Sequence, residues 1–213
     1  MRFRFTRRLL FCAAVAGAVA FGSHADASVS VSVLFDDLVA ESSTVDVVTP
    51  MEARSVWENG RIYTYTRVHV DNAIAGGAGS GADLWVQTLG GEIGDVGQMV
   101  EGEPNLVIGK PFLVFLKPVG GSTTSGTYWV TARAQGQFPV RSEGVGAAAS
   151  LHVIKNGSVG ALLAPRPDAV SAAQRRAPAI AIAAVPAGDA LHERALDDAT
   201  KEIRGAWART HAR

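Results

Sequence analysis

The chain has 213 residues with 20 basic and 20 acidic side chains, so its formal net charge is zero. That balance excludes the strongly basic face that nucleic acid or an anionic membrane surface requires of a partner. A single cysteine, Cys12, excludes an intramolecular disulfide framework.

In chain order, the first element is an export signal. Arg2, Arg4, Arg7 and Arg8 make a positive start, an apolar run from Leu9 to Phe21 follows, and Ala25-Asp26-Ala27 offers small residues for cleavage. Thirteen apolar residues are too few for a permanent span, which takes roughly twenty, so no stable membrane anchor is expected. Residues 1–27 are therefore expected to leave, and the mature chain to be secreted or periplasmic. The route is the general secretory pathway or the twin-arginine pathway, whose signals Thr6-Arg7-Arg8-Leu9-Leu10-Phe11 resembles. Cys12 departs with the signal, which leaves a cysteine-free mature chain of 186 residues (213 minus 27), enough for one sizeable core. Its 16 basic and 19 acidic residues give a net charge of about −3.

Residues 32–43 place Leu34, Leu38 and Val39 on one face, with Asp36 and Asp37 in the first turn, which predicts a short helix. Thr44 to Thr49 predicts a strand that Pro50 stops. Arg61 to Asp71 alternates cleanly. Ile62, Thr64, Thr66, Val68 and Val70 share one face; Tyr63, Tyr65, Arg67, His69 and Asp71 share the other. Asn59-Gly60 before it is a hairpin turn signal, and Gly76 to Asp83 is a glycine-rich loop. Strands follow at 84–89, 111–117, 127–132, 137–140 and 151–154, with Asn156-Gly157 as a further hairpin signal. The 111–117 run is nearly all apolar and predicts a strand covered on both faces. Prolines 165, 167, 178 and 186 punctuate an Ala-rich stretch read as a surface linker over 164–188. Asp189 is then placed as the N-cap of a closing helix from Ala190 to about Thr210, packed through Leu191, Leu196, Ile203 and Trp207. The pattern predicts a mainly β fold with a small barrel or sandwich over 28–163, a short leading helix and an amphipathic C-terminal helix over 189–213.

Val45 to Val48, Tyr63 to Val70, Gly90-Gly91-Glu92 and Gly109 to Leu116 together resemble exported bacterial proteins of unknown function. More distantly, the order of segments over residues 34–140 is similar to the netrin-like domain, the OB-type barrel of tissue inhibitors of metalloproteinases. The resemblance implies the barrel alone. Those inhibitors use an N-terminal cysteine braced by disulfides, and this mature chain has no cysteine.

The chemistry-bearing motifs are weak. His69, His152, His192 and His211 do not pair at metal-ligand spacing, and Leu196 stands where His192-Glu193 would need its second zincin histidine. His192 is expected to be partly covered by the last helix. Ser80 and Ser158 lack the glycine two residues earlier that a nucleophile elbow needs, and the glycines of 91–97 have no phosphate-loop spacing. No catalytic, cofactor-binding or metal residue is assigned. Trp57, Trp85 and Trp129 suit sugar stacking, but Trp85 and Trp129 fall on strands and are expected in the core or half-covered. The long connection from Gly90 to Pro104 is the candidate partner-binding surface, through Glu92, Asp95, Met99, Glu101 and Glu103; calcium ligation by its carboxylates is the lesser reading. The function these observations favour is an exported, non-enzymatic domain binding a protein or glycan in the envelope or outside the cell. The alternatives are a carbohydrate-active hydrolase with paired carboxylates, which leave no short motif, and an inhibitor of secreted proteases.

Overall fold

The computed structural model describes residues 30–77, 79–121, 126–144, 149–165 and 185–212. The expected signal segment, Cys12 and most of the expected linker lie outside the described residues. The chain begins with β1 (Ser30–Val31) and α1 (Phe35–Ala40), then the long hairpin β2 (Thr44–Glu58) and β3 (Arg61–Gly76). Next come β4 (Asp83–Leu89), the small hairpin β5 (Gly91–Ile93) and β6 (Val96–Gln98), β7 (Phe112–Pro118) and β8 (Thr127–Val130). The last part holds β9 (Gln137–Glu143), β10 (Ser150–Val153), β11 (Leu162–Leu163), α2 (Ala187–Leu191), β12 (Arg194–Ala195) and α3 (Leu196–Thr210).

Five strands close a barrel in the order β7-β2-β3-β4-β8, returning to β7. β8 completes the ring. It runs parallel to β4 (Trp85↔Thr127, Val86↔Tyr128) and antiparallel to β7 (Leu116↔Val130, Lys117↔Trp129). Closure removes the open edges that a five-stranded sheet would otherwise expose. β9, β10 and β12 then extend the sheet outward from β7, and β9 shares with β8 the edge of β7 that faces away from β2. The mainly β fold with a barrel and a C-terminal helix is therefore present.

Two apolar clusters hold it. Val48, Val68, Val70, Val86, Val114 and Leu116 fill the barrel. Val45, Val47, Leu113, Phe115 and Phe138 face the other way, onto Leu38, Leu191, Leu196, Ile203 and the half-buried Trp207 of the helices. β7 contributes to both clusters, which explains its unbroken apolar run. Phe115 meets Phe138 edge-on at 6.0 Å and 67°.

Several elements depart from the sequence reading. Pro50 does not end β2; the strand continues to Glu58 through a register shift between Pro50 and Glu52, a bulge where the missing N–H is tolerated. The Gly90–Pro104 connection contains the β5–β6 hairpin, and Gly91 is needed there, because a Cβ would lie 2.2 Å from Thr64 Oγ1 and 2.5 Å from Ser55 Oγ. Asn156 caps a 3₁₀ turn by accepting from the Ser158 N–H instead of turning a hairpin. The closing helix is broken. Asp189 lies inside the short α2, Glu193 takes a left-handed φ of 59°, and the Glu193 N–H donates to Val153 O. That detour lets β12 pair with β10 before α3 begins at Leu196, and it leaves His192 exposed rather than covered. The sheet-edge hydrogen bonds outweigh a helical propensity that is weak across one turn.

Candidate functional site

The outer face of the barrel carries the chemistry. β3 turns Ile62, Thr66, Val68 and Val70 inward, all buried, and leaves Tyr63, Tyr65 and Arg67 on the outside. Register then fixes their neighbours. Tyr65 lies between Arg54 of β2 and Gln87 of β4, and Tyr63 between Val56 and Leu89. β8 sets Tyr128 and Val130 into the core and Trp129 onto the outside, where it is 46% exposed.

A relay of side-chain hydrogen bonds crosses four strands on this face. Trp129 Nε1–H donates to Gln87 Oε1 (2.8 Å), and Gln87 Nε2–H donates to the Tyr65 hydroxyl (2.9 Å). Tyr65 in turn donates to the Glu58 carboxylate at 3.0 and 3.1 Å. Burial, aided by the Glu58 carboxylate, pushes the Tyr65 phenol up, so its proton stays in place to be donated. The relay spends the one indole donor and fixes the ring's orientation. Further along the same face, Arg54 sits over Trp85 at 5.0 Å, so that half-buried ring already has a cation. Asp83 accepts from Arg67 and is paired with His69, and the His69 contact, then Arg67, holds its carboxyl below the ordinary range.

Beside Trp129 lies a cleft of about 400 Å³ whose polar walls are Arg61, Tyr63, Gln87, Glu103, Lys117 and Arg133. Leu89, Pro104, Val130 and Ala132 supply its apolar lining. Three cations thus face one carboxylate. Glu103 is also committed: it accepts from the Leu89 N–H at 3.0 Å and from Arg133 Nε–H, and its side chain is only 14% exposed. Arg61 and Lys117 have no ion pair among the described residues. Arg133 is presented by a corner in which Ala132 (φ 54°) and Arg133 (φ 57°) both adopt the left-handed conformation. The corner exists because the chain must leave β8 and rejoin the same edge of β7 as β9. Gly136 completes it, since a Cβ there would lie 2.1 Å from Thr131 O. Strain of this kind gathers where surrounding structure needs a side chain held in one place.

Of the five loop residues singled out from sequence, Glu103 alone lines this cleft. Glu92, Asp95, Met99 and Glu101 are exposed outside its walls, with Met99 at 98%. Among the described residues no group of three or more His, Asp or Glu side chains comes together to hold a metal ion. Trp129 takes the half-covered placement of the two expected of it: it lies on the outer face, 46% exposed, rather than in the core. Glu103 ties the end of the connection to β4, so Glu103→Ala is expected to cost about 1–3 kcal/mol by leaving the Leu89 N–H without its acceptor. Urea unfolding of the variant checks this, and an unchanged midpoint would mean that the loop is not tied down there.

No helix among the described residues is long and apolar enough to cross a membrane. Comparison of the chain with protein-family models, curated proteins and solved structures finds no match to any of them.

Proposed function

We propose that this chain is an exported, non-enzymatic binding domain that holds its partner in the cleft beside Trp129. The observation that carries the reading is the preoriented, half-open indole in one cleft with Arg61 and Lys117, two cations that have no ion pair among the described residues. A rigid aromatic surface with its polar edge already satisfied is costly to leave in water and favourable to cover. The hydrolase alternative needs two carboxylates flanking a bond; this cleft offers one, locked to Leu89 and Arg133. The inhibitor alternative and the netrin-like kinship draw support from the five-stranded ring alone, and no cysteine other than Cys12 exists to act on a target's metal.

The test uses the protein recovered from the producing cell. Mass spectrometry is expected to find Ser28 as its first residue, in the envelope or medium. Wild type, Trp129→Ala/Lys117→Gln and the loop variant Glu92→Gln/Asp95→Asn/Glu101→Gln are then used to capture proteins and glycans from the envelope fraction. At least one species is expected on wild type and the loop variant and absent from the cleft variant. Identical captures by wild type and the cleft variant would retire the cleft, and loss from the loop variant alone would move the site to the β5–β6 hairpin.

A further inference from the structure

Resting on that binding reading, we infer that the cleft takes an acidic oligosaccharide, a sugar chain bearing carboxylates, with one ring stacked on Trp129 and its charge against Arg61 and Lys117. A pyranose presents a flat C–H face, hydroxyls that both donate and accept, and in a uronic acid one carboxylate. Trp129 offers the complementary flat surface, since its N–H is already bonded to Gln87 and its ring is 46% exposed. Gln87 keeps a second amide proton and acceptor capacity beyond its bonds to Trp129 and Tyr65. Tyr63 adds an amphipathic ring and hydroxyl on the adjoining strand.

Charge selects among ring-bearing ligands. Three cations against one carboxylate leave the cleft with a surplus of two positive charges, on Arg61 and Lys117. A neutral sugar would leave that surplus unused. A nucleic acid strand needs a long basic track for its phosphates, whereas beyond the cleft the same face carries Glu52 and Asp83, already paired with Arg67, and Glu58, which accepts from Tyr65, so the positive surplus is confined to the cleft. A short acidic sugar chain can set a carboxylate against that surplus and its hydroxyls on the polar walls. A second hollow of about 300 Å³ shares Ala132 and Arg133 with the lining of the cleft.

The experiment titrates the full chain with three probes and reads tryptophan fluorescence and calorimetry. The first is a hexamer of galacturonic acid, the second its fully methyl-esterified form, with the same rings and no charge, and the third hexaglutamate, with charge and no sugar ring. The acidic hexamer is expected to bind at least about tenfold tighter than either control at low salt. Trp129→Ala and Arg61→Gln/Lys117→Gln are each expected to lose about tenfold, and Trp129→Phe to recover part of the loss by restoring a ring. The cation variant is also expected to flatten the salt dependence. Equal binding of the ester would overturn the acidic class while leaving the cleft as a site. Equal binding of hexaglutamate, with Trp129→Ala silent, would overturn ring recognition. Failure of all three probes on wild type would overturn the ligand class, while the capture experiment above, which assumes no class, would still decide the binding reading separately.

Discussion

Ile203→Asp is expected to lower the melting temperature by at least about 5 °C or to prevent folding outright. Ile203 is fully buried in the cluster between α3, α1 and the sheet, alongside Leu38, Leu191 and Ala199. The substitution removes an apolar side chain whose burial is worth about 1.5–3 kcal/mol. It then places a carboxyl group in an apolar cluster, which adds about 1–3 kcal/mol or more even if the acid takes up a proton. For a chain of this size each kcal/mol moves the midpoint by about 2–4 °C, and total stability is only about 5–15 kcal/mol. Lys201→Gln, two residues away on the exposed side, loses only a solvent-screened surface pair with Asp198 and is expected to melt with wild type. Thermal unfolding of both variants is the measurement. If Ile203→Asp melts with wild type, the helix contributes nothing to the fold and the two-layer core is wrong.

The elements legible in the sequence are those whose burial follows a simple pattern, one-sided as in β3 or two-sided as in the apolar run of β7. β3 shows its face in every second residue because one side meets the barrel interior and the other meets water. Trp129 was harder for a definite reason. Thr127 to Val130 contains three bulky residues in a row, so either phase of the strand looks plausible, and only the pairing of Lys117 with Trp129 fixes which side faces out. The relay from Trp129 to Glu58 joins residues 42, 22 and 7 positions apart; strand register sets the last two links, and the docking of β8 beside β4 brings Trp129 into line. Glu103 was singled out for its loop, yet its partners, the Leu89 N–H and Arg133, depend on where the β8–β9 corner falls. The break between α2 and α3 was hidden because the apolar spacing runs on from Leu191 to Leu196, while the cause, an open edge on β10, lies some forty residues earlier, as the bond from Glu193 N–H to Val153 O shows.

In the sequence Asp46 is one polar residue in a valine-rich strand, with nothing local to mark it, and a second large effect is expected of it. Its side chain is fully buried where β2 lies between β3 and β7. One carboxyl oxygen, Oδ1, has no hydrogen-bond partner, and Oδ2 lies 2.9 Å from Thr44 Oγ1. Thr44 Oγ1 is also 3.1 Å from Ala75 O, and a hydroxyl has one proton to give. If Asp46 is ionised, Thr44 must turn to it and abandon Ala75. If Asp46 is protonated, its O–H donates to Thr44 and Thr44 donates to Ala75, so both bonds are made. Burial, only partly opposed by the Thr44 hydroxyl, accordingly raises the carboxyl from 3.8 to about 7. The sign follows from linkage. A group that holds its proton more tightly when folded contributes fully below about 3.8, progressively less as pH rises, and nothing above about 7. At about 1.36 kcal/mol per pH unit the loss across that window is on the order of 4 kcal/mol. Asp46→Asn, which cannot ionise, is expected to remove that component of the slope, so the variant gains on wild type as pH rises from 4 to 8. Urea unfolding of both proteins at half-unit steps measures it, and parallel stability curves would show that Asp46 is charged in the folded chain at every pH tested.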